Sequence, residues 1–164
     1  MSNNQPDEAT RPVESGYDVP LDPASPWPKF KRDARQTSRS PFAPQPSGDS
    51  VWEYKTELGV FSSAVIDADE NVYIGSGDHT FYCFDKHGSV KWQFQTGEIV
   101  DAAALLDDAG RVFVASCDGT VYALARESGE LIWSYRCHTI PECHAKGVKS
   151  FVDWFEGHIT IDRA

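Results

Sequence analysis

Apolar and polar positions alternate over residues 51–56, where Trp52 and Tyr54 are interleaved with Glu53 and Lys55, and that period of two predicts a half-buried strand. A second strand is predicted over 61–67, a turn over 67–71, and a third strand over 72–76. Asp78-His79 marks a tight turn into a fourth run, 80–85, which Gly88 closes before the next tryptophan. Each run is short and each break carries Gly, Asp or Asn.

The pattern then occurs again. Laying 52–91 over 92–132, with one extra residue in the second copy, aligns Trp52/Trp92, Thr56/Thr96, Val60/Val100, Ala64/Ala104, Asp67/Asp107, Val72/Val112, Ser76/Ser116, Asp78/Asp118, Thr80/Thr120, Tyr82/Tyr122 and Gly88/Gly129. Trp133 opens a third copy. Repeats of about 40 residues built from short strands are the signature of a propeller blade array. The predicted fold is all-β: a partial β-propeller of two complete four-stranded blades plus part of a third, behind a disordered Pro-rich N-terminus. In such an array the strands converge, and the small residues Ser62, Ser63 and Ala64, matched by Ala102, Ala103 and Ala104, suit the crowded end. Asp118-Gly119 is a strong hairpin signal because both central turn positions take positive φ. A tryptophan at each hand-over would bury about 150–250 Å² between adjacent sheets.

Composition divides the chain. Nine of the 10 prolines precede Val51. Residues 1–25 are polar and aperiodic and are expected to be a disordered tail. Residues 26–50, with Trp27 and Phe30, are expected to be a lead-in that packs on the blades. Residues 51–164 form the repeat region.

The formal charge of −10 sits mostly in the repeats, which makes a nucleic-acid partner an unfavourable expectation. The basic run Lys29, Lys31, Arg32, Arg35 and Arg39 reads as a solvated linker. No segment reaches the roughly 18 apolar residues of a membrane helix, and the first 16 residues lack a signal-peptide core. A cytoplasmic location and reduced thiols at Cys83, Cys117, Cys137 and Cys143 are therefore expected. Too few blades are present to close a ring, so a fragment is expected, with open blade edges that permit self-association.

The order Trp-x-aromatic-x-Thr, an Asp turn, Val-Tyr/Phe-x-x-Ser, Asp-x-Thr-x-Tyr, Gly and Trp resembles the pyrroloquinoline-quinone-like (PQQ-like) β-propeller repeat. Its carriers are Trp52, Val72, Tyr73, Ser76, Asp78, Tyr82, Gly88 and Trp92, then Val112, Phe113, Ser116, Asp118, Gly119, Tyr122, Gly129 and Trp133. The lead-in from Trp27 to Ser40 is also similar, with Thr37-Ser38 where the family commonly has Thr-Gly. The resemblance implies a fold and leaves function open, because the family includes quinoprotein dehydrogenases, outer-membrane assembly lipoproteins and scaffolds.

A dehydrogenase of that kind would imply a closed ring, an axial quinone, a calcium or lanthanide ion, a catalytic Asp and adjacent cysteines. No two cysteines are adjacent here. Residues 67–71 imitate the start of a calcium loop, but its sixth position is Val72 and its twelfth Asp78, so a hairpin turn is expected. Cys137, His138, Cys143 and His144 form the one soft-ligand cluster, with a spacing wider than zinc sites use. Asp78, Asp101 and Asp118 have no His or Lys at a repeated offset. The expectation is a non-catalytic scaffold without cofactor or metal, binding an unknown protein or small ligand. The alternatives are the N-terminal part of a quinoprotein oxidoreductase, or a truncated product without independent function.

Overall fold

The computed structural model describes residues 20–40, 50–136 and 158–159. Its strands are β1 (Val65–Ile66), β2 (Val72–Gly75), β3 (Thr80–Phe84), β4 (Val90–Gln95), β5 (Leu105–Leu106), β6 (Arg111–Ser116), β7 (Thr120–Ala125) and β8 (Leu131–Arg136). They make two four-stranded antiparallel sheets, in the orders β1-β2-β3-β4 and β5-β6-β7-β8. The architecture is all-β, two blades of an unclosed propeller.

The sheets share one register. Val65, Tyr73, Cys83 and Trp92 lie side by side across the first sheet. Leu105, Phe113, Ala123 and Trp133 occupy the same row in the second. Each sheet also has a bulge at the same place, between Cys83 and Phe84 and between Ala123 and Leu124.

β-Branched and aromatic residues make these strands because their side chains pack well on a pleated surface. All five residues of β3 are buried, and so are five of the six in β6. Strands covered on both faces read as near-continuous apolar runs, whereas β4 on the outside shows alternation, with Trp92 buried and its neighbours exposed. One core cluster joins Val65, Tyr73 and Cys83 to Leu106, Val112, Val114 and Leu124, so it lies between the blades.

The phase of the repeat differs from the sequence expectation. Each tryptophan closes a sheet as its fourth strand: β4 carries Trp92 and β8 carries Trp133. Residues 51–56 consequently lie outside both sheets and run unpaired among the described residues. The 61–67 strand shortens to Val65–Ile66. Hydrogen bonds of Ser62 take over ahead of it: its Oγ donates to the Gly75 carbonyl and accepts from the Gly75 N–H, both at 2.9 Å.

The lead-in stitches the two first strands together. Trp27 pairs with Ile66 on β1, and Leu21 with Asp107 just beyond β5. Leu106 N–H donates to the Pro28 carbonyl at 2.8 Å, and Asp22 N–H to the Leu106 carbonyl at 3.2 Å. Residues 20–25, grouped by composition with the tail, thus pair with the blades. Their backbone groups find partners on a sheet edge that would otherwise be open, an attraction that side-chain polarity does not report.

Candidate functional site: the joint between blades

Two devices join the first blade to the second, and among the described residues each occurs again where residues 52–57 meet the first blade. The first is a seat for the tryptophan. Trp92 is 8% exposed, its rings lie 5.8 Å from Tyr73 and 6.0 Å from Phe81, and its Nε1 donates to the Arg126 carbonyl of the second blade at 3.0 Å. The seat is Gly129, at φ +73°, where an added Cβ would stand 2.6 Å from the indole. Only glycine permits that approach at that backbone angle. Trp52 sits the same way on Gly88, at φ +85° and 2.6 Å.

The second device is a carboxylate clamp made by Ser-x-Asp-x-Thr-x-Tyr. Asp118 accepts from the Tyr122 hydroxyl at 2.6 Å, the Thr120 N–H at 2.8 Å, and the Gly97 N–H at 2.8 Å. Gly97 follows β4, so this last bond ties the blades together. Asp78 repeats it with Tyr82 at 2.9 Å, Thr80 N–H at 3.1 Å and Glu57 N–H at 3.1 Å. The serines anchor both turns, Ser76 Oγ accepting from Asp78 N–H and Ser116 Oγ from Asp118 N–H.

Burial alone would raise both carboxyls. Hydrogen bonds from tyrosine, backbone and threonine outweigh it and hold Asp78 and Asp118 below the usual carboxylate range. Tyr82 and Tyr122 move up, through burial and through donating to those carboxylates.

The other repeated acids are also engaged in their own turns. Asp67 accepts from the Asp69 and Asn71 N–H groups at 2.9 Å, Asn71 Nδ2 at 2.8 Å and the Tyr73 hydroxyl at 2.7 Å. Asp107, fully buried, accepts from Ala109 N–H at 3.0 Å, Arg111 N–H at 2.8 Å and Arg111 Nε at 2.6 Å. The 67–71 segment is the β1–β2 hairpin turn. Burial pushes the Cys83 thiol up to about 12, so it stays protonated at neutral pH.

The structure therefore gathers the sequence-selected residues into joints: Trp92 with Gly129, Trp52 with Gly88, and each of Asp78 and Asp118 with its Ser and Tyr. Tyr73 and Phe113 form the floors beneath Trp92 and Trp133. His79 and Gly119 occupy equivalent left-handed turn positions, φ +66° and +81°. Cys137, His138, Cys143 and His144 lie outside the described residues. Among the described residues no group of three or more His, Cys, Asp or Glu could hold a metal ion.

Two contributors escaped sequence reasoning. Thr96 hydrogen-bonds the His79 carbonyl through both its N–H and Oγ1 at 2.8 Å, and the Thr56/Thr96 identity was its signal. Arg126 pairs with Asp22, 104 residues away, and nothing in the repeat foretells it.

The ends of the array are chemically distinct from the joint. On β8, Leu131, Ile132, Trp133 and Tyr135 are all exposed, while Val51, Tyr54, Leu58 and Phe61 are exposed at the other end. A cleft of about 470 Å³ lies beside Trp27, Trp52, Ile66 and Val72, with Glu70 and Lys86 in its walls. These arrangements offer apolar and aromatic contact.

Residues 42–150 match the family model described as outer membrane protein assembly factor BamB. No curated protein matches the sequence significantly. Among solved structures, a quinohemoprotein alcohol dehydrogenase from Pseudomonas putida HK5 is 21% identical with a TM-score of 0.60, covering 71% of this chain and 20% of its own. The quinohemoprotein alcohol dehydrogenase of Comamonas testosteroni is 20% identical with a TM-score of 0.58, covering 67% and 19%. BamB from Moraxella catarrhalis is 23% identical with a TM-score of 0.49, covering 54% and 27%. The chain thus spans 27% or less of the length of these proteins, and at such identities the likeness is one of fold. With the model spanning well over half of its residues, the chain belongs to the PQQ-like repeat family described as outer membrane protein assembly factor BamB.

Proposed function

We propose that the protein is a non-catalytic binding scaffold that engages a protein partner through the apolar ends and turns of its blades. The observation that carries this reading is the use of the repeated acids. Asp67, Asp78, Asp107 and Asp118 each accept three or more hydrogen bonds from their own turn or the adjoining blade. A general acid or base needs a pKa near the working pH and a proton exchangeable with substrate, whereas Asp78 and Asp118 are held as low-pKa anions. Exposed aromatic side chains on β8 and at 51–61 supply what protein interfaces use: large apolar anchors bordered by polar groups. The family match to an assembly factor supports the same reading.

The competing oxidoreductase reading makes a direct demand. Titration of the purified chain with pyrroloquinoline quinone and calcium should give no saturable change in quinone absorbance and no alcohol-dependent dye reduction. Stoichiometric quinone binding with turnover would replace the scaffold by an enzyme.

A further inference from the structure

The basic run of the lead-in, which the charge pattern reads as a solvated linker, is held as a hydrogen-bonded loop. Arg32 N–H donates to the Lys29 carbonyl at 2.9 Å, Gln36 N–H to the Asp33 carbonyl at 2.9 Å, and Ser38 N–H to the Lys31 carbonyl at 3.1 Å. Residues 29–39 carry five cations and one acid. That acid, Asp33, is engaged inside the loop: it accepts from the Thr37 N–H at 3.0 Å and from the Thr37 hydroxyl, and pairs with Arg32 at 3.6 Å. Arg32 Nε also donates to the Pro26 carbonyl at 3.3 Å. Lys31, Arg35 and Arg39 are exposed, and among the described residues no carboxylate lies within ion-pair distance of them.

Lys29 differs from the rest of the run. It is 5% exposed, yet among the described residues its ammonium also has no carboxylate within ion-pair distance. Burial lowers its pKa, Asp33 pulls it up and Lys31 lowers it again, the behaviour of a buried ammonium short of an anion. Close by, the His158 ring stacks on Phe30 with centroids 3.6 Å apart, and Lys31 Nζ stands 5.6 Å from the same Phe30 ring. His158 Nδ1 accepts from the Ala103 N–H at 3.1 Å, so the neutral imidazole carries its proton on Nε2 and has a donor to offer. Burial, Lys29 and Lys31 lower the His158 pKa against the pull of Asp101. Lys29 Nζ, Lys31 Nζ and His158 Nε2–H are thus three donors in one locale, with no carboxylate among the described residues in bonding distance.

We propose that Lys29, Lys31, Arg35 and Arg39, together with His158, form a docking surface for an acidic segment of a protein partner, one of whose carboxylates is received at Lys29 and His158. The inference rests on the scaffold reading in taking the ligand to be a protein, and it adds to the apolar ends a contact of opposite character. Charge complementarity selects the occupant. A carboxylate beside Lys29 replaces the hydration that burial removed, through a charge-assisted hydrogen bond, which is roughly twice as strong as a neutral one. The chain as a whole carries a formal charge of −10. An extended anionic polymer or bilayer is therefore repelled by the blades, whereas a short acidic segment meets the basic loop alone. The loop's own hydrogen bonds fix its backbone before the ligand arrives, which lowers the ordering cost of binding.

The probe is an acetylated and amidated tetraglutamate peptide, titrated into the full chain at low salt and followed through the imidazole signals of His158 by NMR. Binding should saturate and should weaken about tenfold in Lys29→Met, which removes a buried hydrogen bond to a charged group. The double variant Arg35→Gln/Arg39→Gln changes exposed side chains alone and should weaken it about threefold, so the test survives if Lys29→Met fails to fold. The bound carboxylate should raise the His158 pKa, and added salt should lower the affinity. No saturable binding, or equal affinity in the parent chain and the variants, overturns the proposal. Recruitment to phosphatidylglycerol vesicles without a response to the peptide also overturns it, by assigning the cations to a membrane surface. So does a dimer that forms without peptide and is lost in the variants, by assigning them to the acidic blades of a second copy. The quinone titration reads neither the loop nor the peptide, so loss of this docking surface and loss of the scaffold reading are separately visible.

Discussion

Trp92 and Trp133 hold the same position in the same register of two sheets built from the same repeat, yet one is 8% exposed and the other 41%. Each has its aromatic floor at 5.8 Å, Tyr73 or Phe113. What differs is the lid. Trp92 is covered by the Gly129 turn of the second blade and donates to the Arg126 carbonyl, while no such turn covers Trp133 among the described residues. A repeat of this kind makes its own strands but borrows its burial from a neighbour, which is why solenoid and propeller units gain stability by stacking.

The largest expected effect breaks this comparison. Trp92→Ala should destabilise the protein by about 3–5 kcal/mol in urea unfolding, and Trp133→Ala by about 1 kcal/mol or less, because only the first leaves a cavity between blades. Equal losses would mean that both indoles are covered in solution.

Next comes the clamp. Asp118→Ala should cost about 1–3 kcal/mol, since the Tyr122 hydroxyl and the Gly97 and Thr120 N–H groups lose their acceptor. The same carboxylates predict a pH dependence. Asp78 and Asp118 have folded pKa values below the unfolded value of about 3.9. Their stabilisation is full above that value and is lost as pH falls through the depressed folded pKa. Urea midpoints should therefore drop below about pH 4, and the drop should be shallower in Asp118→Asn, which starts less stable at neutral pH. An unchanged slope in the variant would remove Asp118 from the linkage.

A subtler contrast lies in the turns. The first blade places Glu70 and His79 in left-handed conformations, φ +64° and +66°, where the second places Gly110 and Gly119 at +77° and +81°. A side chain in that region costs about 1–2 kcal/mol, partly offset because glycine is freer in the unfolded chain. His79→Gly and Glu70→Gly should each raise stability by about 0.5–1 kcal/mol, and Gly119→Ala should lower it by about 1 kcal/mol or more, all measurable by thermal unfolding. For His79→Gly the exposed pairing with Glu98, at 3.7 Å, is too weak to reverse the sign.

The smallest effect concerns the lead-in. Ser38 has φ +54°, the angle that suits the glycine expected from the family pattern. Ser38→Gly should stabilise by a few tenths to about 1 kcal/mol, and a loss would show that the serine hydroxyl has a role of its own.

Local chemistry made much of this legible in advance. Alternating β-branched and aromatic runs, glycine and Asp-Gly breaks, and the repeated Ser-x-Asp-x-Thr-x-Tyr are all properties of neighbouring residues, and strands, hairpins and clamps form from them directly. The positive φ at Gly88, Gly119 and Gly129 follows from the same turns. The phase of the repeat was not legible, because a fourth strand and a first strand have the same period of two. Only the β3–β4 and β7–β8 ladders show that each tryptophan ends a sheet.

What the sequence by itself determined is the unit: its length, its strands, its turns and the residue types that hold a joint together, since these rest on backbone preference and contacts a few residues apart. The tertiary structure decided which units share a joint. It placed Asp22 on Arg126, joined residues 20–28 to both first strands, and buried Trp92 where Trp133 is open. Those outcomes depend on surfaces brought together from distant parts of the chain, and burial is a property of the surface that arrives, which identical local sequence cannot specify.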